Sequence, residues 1–147
     1  MRIPLQNNIA SLTTIGVVCL VLTIAALSAC QDDPFKQGKI LYEIHCGNCH
    51  GLKGEGLGQL IPPLAGADFF TQRIKEIPCM IVRGYKGQLT VNGKMYSTNA
   101  MPPNEKLTEF EITNILNYIS SSWYPDKKFI KLDDVREDLK QCPYSVH

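Results

Sequence analysis

The chain has 147 residues, 44% of them hydrophobic, and carries 15 Lys and Arg against 14 Asp and Glu, a formal net charge of +1. That length, without an internal repeat or a low-complexity tract, accommodates one domain and a targeting segment. The near-neutral balance, with no basic stretch, argues against a nucleic-acid-binding role.

Residues 1–29 read as an export signal, with Arg2, polar positions, the uncharged run Ile15 to Leu27 and then small residues. A spanning helix wants about 20 apolar residues. Length alone therefore leaves a cleaved signal and an uncleaved anchor both open. Leu27-Ser28-Ala29-Cys30 resembles the bacterial lipobox, in which the leader is cut before a lipidated cysteine. The resemblance implies a signal peptide over 1–29, a lipid on Cys30, a tether over 30–35 and a domain held in the periplasm; an uncleaved anchor would leave the domain in the same compartment. Loss of the leader removes only Arg2, leaving 14 charges of each sign.

Asp33-Pro34 reads as a helix opening, a capping acid followed by proline at the first helical position. Phe35 to about His45 then reads as an amphipathic helix with Phe35, Ile40, Leu41, Tyr42 and Ile44 at loosely helical spacing. Gly38 inside it costs about 1 kcal/mol relative to alanine, so its presence asks for close packing there.

Cys46-Gly-Asn-Cys49-His50 is the haem-attachment signature and the strongest signal in the chain. Two thiols three apart on a turn can each add to one porphyrin vinyl group, and the adjacent imidazole then serves as an axial iron ligand. A thioredoxin-like dithiol would need a surrounding βαβ pattern, which is missing. A zinc site would need a second ligand pair, and outside the motif only His45, His147, Cys79 and Cys142 remain, none of them paired.

These residues resemble the class I cytochromes c, over a stretch from Gly38 to about Trp123. Gly38, Tyr42, Cys46, Cys49, His50 and Gly51 look like the family's N-terminal helix and haem motif, the small residue letting the last helix cross closely. Gly54-Glu-Gly-Leu-Gly58 is similar to the flexible loop that follows. Pro62-Pro63-Leu64 resembles the proline-leucine element; by that likeness Pro63 accepts a hydrogen bond from the His50 imidazole, as a ligating histidine requires, and Leu64 packs on the haem.

Met80 sits in a predicted helix with Ile77, Ile81 and Val82, where core packing is the plain expectation. Leu89-Thr-Val91 and Lys94-Met-Tyr96 flank Asn92-Gly93, a hairpin signal that puts Met95 on a short ribbon. Met101, in Asn99-Ala-Met101-Pro-Pro-Asn, resembles the family's Met-Pro-Pro element and is implied as the sixth ligand, its loop stiffened by two prolines. A bis-histidine iron would need His45, tied beside the attachment cysteine, or His147 at the chain end.

Thr108-Glu-Phe-Glu111 is a capping box, and Ile112, Ile115, Leu116 and Ile119 form the stripe of a C-terminal helix that should meet the first one. Ser120-Ser-Ser122 breaks that pattern and Trp123-Tyr124-Pro125 ends it. Leu132 to Leu139 is a candidate short helix, its charges a solvated face. Six cysteines must be placed in an oxidising compartment. Cys19 leaves with the signal, Cys30 takes lipid, and Cys46 and Cys49 take haem; Cys79 and Cys142 remain, as a disulfide or as two buried thiols.

The expected architecture is an all-α, cytochrome c-like domain over 36–124 wrapped around one covalent haem c, with a short β-hairpin before the axial-methionine loop and a C-terminal extension over 125–147 packed upon it. The resemblance implies a single-electron carrier rather than an enzyme, with no small-molecule substrate. Its partners would be other redox proteins, membrane respiratory complexes among them, and its lipid anchor would hold it at the membrane. A haem enzyme or gas sensor with an open sixth position, and an electron-input subunit of a larger complex, use the same attachment residues.

Overall fold

The computed structural model describes residues 15–20, 33–97 and 100–142. It divides into two compact units, Met1–Asp33 and Pro34–His147. In the first, residues 15–20 are helical; Cys30 and the end of the expected leader lie outside the described residues. Among the described residues no helix is long and apolar enough to cross a membrane.

The second unit contains α1 (Lys36–His45), α2 (Gly47–His50), α3 (Asp68–Gln72), a 3-10 turn (Ile74–Glu76), α4 (Ile77–Arg83), β1 (Leu89–Val91), β2 (Lys94–Tyr96), α5 (Glu109–Trp123) and α6 (Leu132–Lys140). Among the described residues it is mainly helical, with one two-stranded sheet. The first helix opens later than Asp33-Pro34 suggested: Pro34 and Phe35 form a turn, and Phe35, at φ −102° and ψ 5°, is the N-cap without a side-chain hydrogen bond.

The core forms where α1 crosses α5. Leu41 and Tyr42 of α1 are buried with Ile112, Ile115, Leu116 and Ile119 of α5. The crossing is close because Gly38 has no side chain: a Cβ there would lie 2.8 Å from the Asn114 carbonyl carbon and from Tyr118 Cβ, and nearer still to the Asn114 oxygen. Tyr42 packs its ring 5.4 Å from Tyr118 and 5.5 Å from Trp123, centroid to centroid, closing the crossing with aromatic contacts.

The N-terminus of α5 is fixed as its capping box predicts, with Thr108 Oγ1 accepting from the Glu111 amide and the Glu111 carboxylate accepting from the Thr108 amide. Its C-terminus differs from the expectation. The helix runs through Ser120, Ser121 and Ser122 and ends at Tyr124, the residue before Pro125, whose ring disfavours helical backbone there. Of the three serines only Ser120 is buried, in line with Thr113 and Asn117 on one face of the helix, while Ser121 and Ser122 are exposed at its last turn. Asn117 satisfies the backbone of the C-terminal extension in both directions, donating to the Ile130 carbonyl at 2.8 Å and accepting from its amide at 2.9 Å.

Beyond that, α6 buries Val135 and packs on α4 and α5. Arg136 ties it to Glu109 at 2.6 Å, and a disulfide joins Cys142 to Cys79 of α4, with Cα atoms 5.5 Å apart. The hairpin pairs Leu89 with Tyr96, Thr90 with Met95 and Val91 with Lys94, antiparallel, around Asn92 (φ 52°) and Gly93 (φ 73°). Both turn residues lie in the left-handed region that a tight two-residue hairpin needs. Asn92 also anchors the ribbon to α3: its side-chain oxygen accepts from the Asp68 amide and its own amide donates to the Asp68 carboxylate.

Candidate functional site

The site begins at the end of α1. The Cys46 amide still donates to the Tyr42 carbonyl at 2.8 Å, but Cys46 itself departs from helical geometry and α2 restarts as a single turn. Within it the Cys49 and His50 amides both donate to the Cys46 carbonyl, at 3.1 and 2.9 Å. This turn is what brings two thiols three residues apart and the following imidazole to one side of the chain. The Tyr42 hydroxyl donates to the Gly51 carbonyl at 2.6 Å and so fastens the turn back onto α1.

His50 Nδ1 lies 3.0 Å from the Pro62 carbonyl oxygen. A carbonyl only accepts, so Nδ1 carries the proton and Nε2 of the neutral ring keeps its lone pair. Burial depresses the His50 pKa below the ordinary histidine range, against the opposing pull of the Pro62 hydrogen bond, and holds the ring in the neutral, metal-binding form. The accepting carbonyl belongs to Pro62, not to Pro63 as expected. Pro63 forces extended backbone on Pro62, and successive carbonyls of such a chain point in different directions, so one of the two can face the imidazole. Gly56 makes the approach possible: a Cβ on it would lie 2.5 Å from the Ile61 oxygen and 2.8 Å from the Pro62 oxygen.

Cys46, Cys49 and His50 open onto a cavity of about 240 Å³ within this unit. Its wall is predominantly apolar: Pro63 and Leu64 from the loop, Phe69 and Phe70 from α3, Ile77, Met80 and Ile81 from α4, Ile115 and Ile119 from α5. Burial and the neighbouring Cys49 push the Cys46 thiol up to about 12, so its proton is firmly held while Cys49 is exposed. Apolar walls, one half-buried neutral imidazole and two thiols at the same cavity suit a flat, hydrophobic macrocycle with a central metal.

Met101 lines the cavity too. Its main chain forms an isolated antiparallel bridge with Tyr85, the Met101 amide donating to the Tyr85 carbonyl at 2.8 Å and the Tyr85 amide to the Met101 carbonyl at 2.9 Å. Of the other methionines in this unit, Met95 is 60% exposed on the outer face of the hairpin, whereas Met80 reaches the cavity wall as well as packing in α4. His45 stands at the cavity rim, and its Nδ1 accepts from the Asn104 side-chain amide at 3.1 Å; His147 lies outside the described residues. Among the described residues no three His, Cys, Asp or Glu side chains gather as a metal site.

Three contributors were not legible as such. Gly56 reads in sequence as one of several loop glycines, the Tyr42 hydroxyl as the polar end of a core residue, and Gly84-Tyr85 as an ordinary helix C-terminus.

Residues 35–123 match the family described as Cytochrome c. A relative, cytochrome c-554(547) of Halothiobacillus neapolitanus, is 34% identical to the chain over 86 residues, 57% of this chain and 91% of that protein.

Proposed function

Since the chain belongs to the cytochrome c family, whose members bind covalent haem c with its iron, we propose that it is a one-electron carrier whose haem is attached at Cys46 and Cys49 and ligated by His50 and Met101. The observation that carries this reading is that one apolar cavity is lined by both thiols, the His50 ring and Met101. The Pro62 carbonyl orients the imidazole and favours its electron donation, while Pro63 and Leu64 pack against the macrocycle. Bound haem supplies reversible one-electron chemistry at iron, and ligation by one imidazole and one thioether raises its reduction potential.

A saturated iron in an apolar cavity has no open position for a substrate, so the reading is of a carrier and not an enzyme. The partners are then redox proteins in brief encounters over small interfaces, respiratory membrane complexes among them. Cys30 is the proposed lipidation residue, residues 1–29 the leader, 30–35 the tether, 36–124 the class I domain and 125–147 its extension. Tethering in the periplasm raises the effective concentration of the domain near membrane partners.

The decisive experiment is the absorption spectrum of the haem-loaded protein, including the near-infrared band that thioether ligation of ferric iron produces. The band is expected in the native protein and in Met95→Ala and is expected to vanish in Met101→Ala. Its absence from the native protein, together with ready carbon monoxide binding by the reduced form, would give way to a sensor or enzyme with an open sixth position.

A further inference from the structure

The two hydrogen bonds between Tyr85 and Met101 require the two backbone segments to lie side by side, and the residue that permits this is Gly84. It has φ 75° and ψ −178°, a combination essentially confined to glycine. A Cβ on it would lie 2.5 Å from the Met101 carbonyl oxygen, 2.9 Å from the Pro103 nitrogen and 3.1 Å from the Pro102 carbonyl carbon. All three are main-chain atoms, two of them belonging to prolines, so no side-chain rotation relieves the contact. The same helix end holds the segment again just beyond the prolines, where the Asn104 amide donates to the Ile81 carbonyl of α4 at 2.9 Å.

We propose that Gly84 is the positioning residue for the sixth ligand: its missing side chain lets the end of α4 clamp the Met101-Pro102-Pro103 backbone, so that helix position, through the Tyr85 bridge, sets where the Met101 thioether stands. The inference rests on Met101 as ligand. Gly84 touches neither haem nor iron and acts through the Met101 main chain alone.

The test compares three haem-loaded variants, Gly84→Ala, Gly93→Ala and Met101→Ala, by the near-infrared thioether band and by carbon monoxide binding to the reduced protein. Gly93 is the control because it has a similar φ, 73°, but nothing within 4 Å of a built Cβ. Gly84→Ala is expected to lose most of the band and to bind carbon monoxide at least tenfold more tightly than the native protein, while Gly93→Ala keeps the native spectrum. A native band in Gly84→Ala overturns the proposal, and so does equal loss in Gly93→Ala, which would make the effect one of backbone strain in general.

Should Gly84→Ala fail to mature, hydrogen exchange in the native oxidised holoprotein decides. The Tyr85 and Met101 amides are expected to exchange slowly and at matching rates, and both to accelerate when added imidazole displaces the methionine. Exchange as fast as that of the Gly87 amide overturns the clamp. If the native protein shows no thioether band and Met101→Ala changes nothing, the ligand assignment itself fails and the clamp with it. A native band lost in Met101→Ala but intact in Gly84→Ala removes the clamp alone.

Discussion

Gly38→Ala is a substitution whose sign is opposite in the isolated helix and in the folded domain. In the helix alone, alanine is favoured by about 1 kcal/mol. In the domain, the added methyl meets the Asn114 carbonyl carbon and Tyr118 Cβ at 2.8 Å, and ordinary contact begins at 3.4 Å. The two helices must therefore part by about 0.6 Å, and by more to clear the Asn114 oxygen, because the obstacle is backbone. A gap of that size forfeits roughly a quarter to a half of the dispersion attraction across it. For Leu41, Tyr42, Tyr118 and Trp123, each worth about 1.5–3 kcal/mol when buried, a third of that attraction is roughly 3 kcal/mol. Subtracting the propensity gain leaves a net destabilisation of about 2 kcal/mol. Denaturant unfolding of the haem-loaded variant, followed by Trp123 fluorescence, measures it: the midpoint is expected to fall with the slope unchanged. An unchanged or raised midpoint would show that the crossing has slack and that Gly38 is not there for close approach.

Other substitutions examine the remaining joints. Thr108→Ala removes the α5 cap and is expected to cost about 1 kcal/mol. The Thr108 amide and hydroxyl hold Glu111 below its ordinary value of 4.5, so the stability Glu111 contributes is present above that value and is lost as pH falls through its lower folded value. The acid limb of the native stability profile should therefore flatten in Thr108→Ala; an identical acid limb refutes the coupling. Tyr124→Phe strips a hydroxyl that accepts from the Ala67 amide at 2.7 Å and donates to the Leu64 carbonyl. Leaving those groups buried and unpaired is expected to cost about 1–3 kcal/mol, read by thermal unfolding. The double substitution Cys79→Ser with Cys142→Ser opens a bridge spanning 63 residues, with a chain-entropy cost of about 4 kcal/mol at most; no loss of stability would show that the extension is held by its other contacts. Cys30→Ser is expected to move the protein from the membrane to the soluble fraction, and retention in the membrane refutes lipid anchoring.

What the sequence carried plainly was whatever is specified by neighbours in the chain. The capping box at Thr108, the Asn92-Gly93 hairpin and the Cys46 to His50 turn are each encoded within five residues, and each stands where those residues indicate. The errors arose where a distant partner decides. Ser120 to Ser122 look like a helix break when read alone, because nothing local says that the backbone at Ile130 returns to pair with Asn117 on the same helix. The choice between Pro62 and Pro63 turns on which of two successive carbonyls faces His50, and the loop that brings the Pro62 carbonyl there passes close to Gly56, six residues earlier in the chain. The role of Gly84 was hidden for the same reason, since its partner is the backbone of Met101 to Pro103.

The crossing of α1 and α5 also governs how the domain comes into being. Gly38 and Asn114 are 76 positions apart in the sequence, and the part of the core between the two helices exists only once they meet. Closing a loop of that length costs on the order of 4 kcal/mol of chain entropy before contacts repay it. A nascent chain truncated before α5 lacks the helix against which Leu41 and Tyr42 are buried, so its first helix stays marginal by itself. The expected order is therefore that the domain closes from these two helices inward, with the intervening loop, hairpin and Met101 segment settling afterwards. Its folding rate should track the stability of that one helix pair far more than that of any segment between.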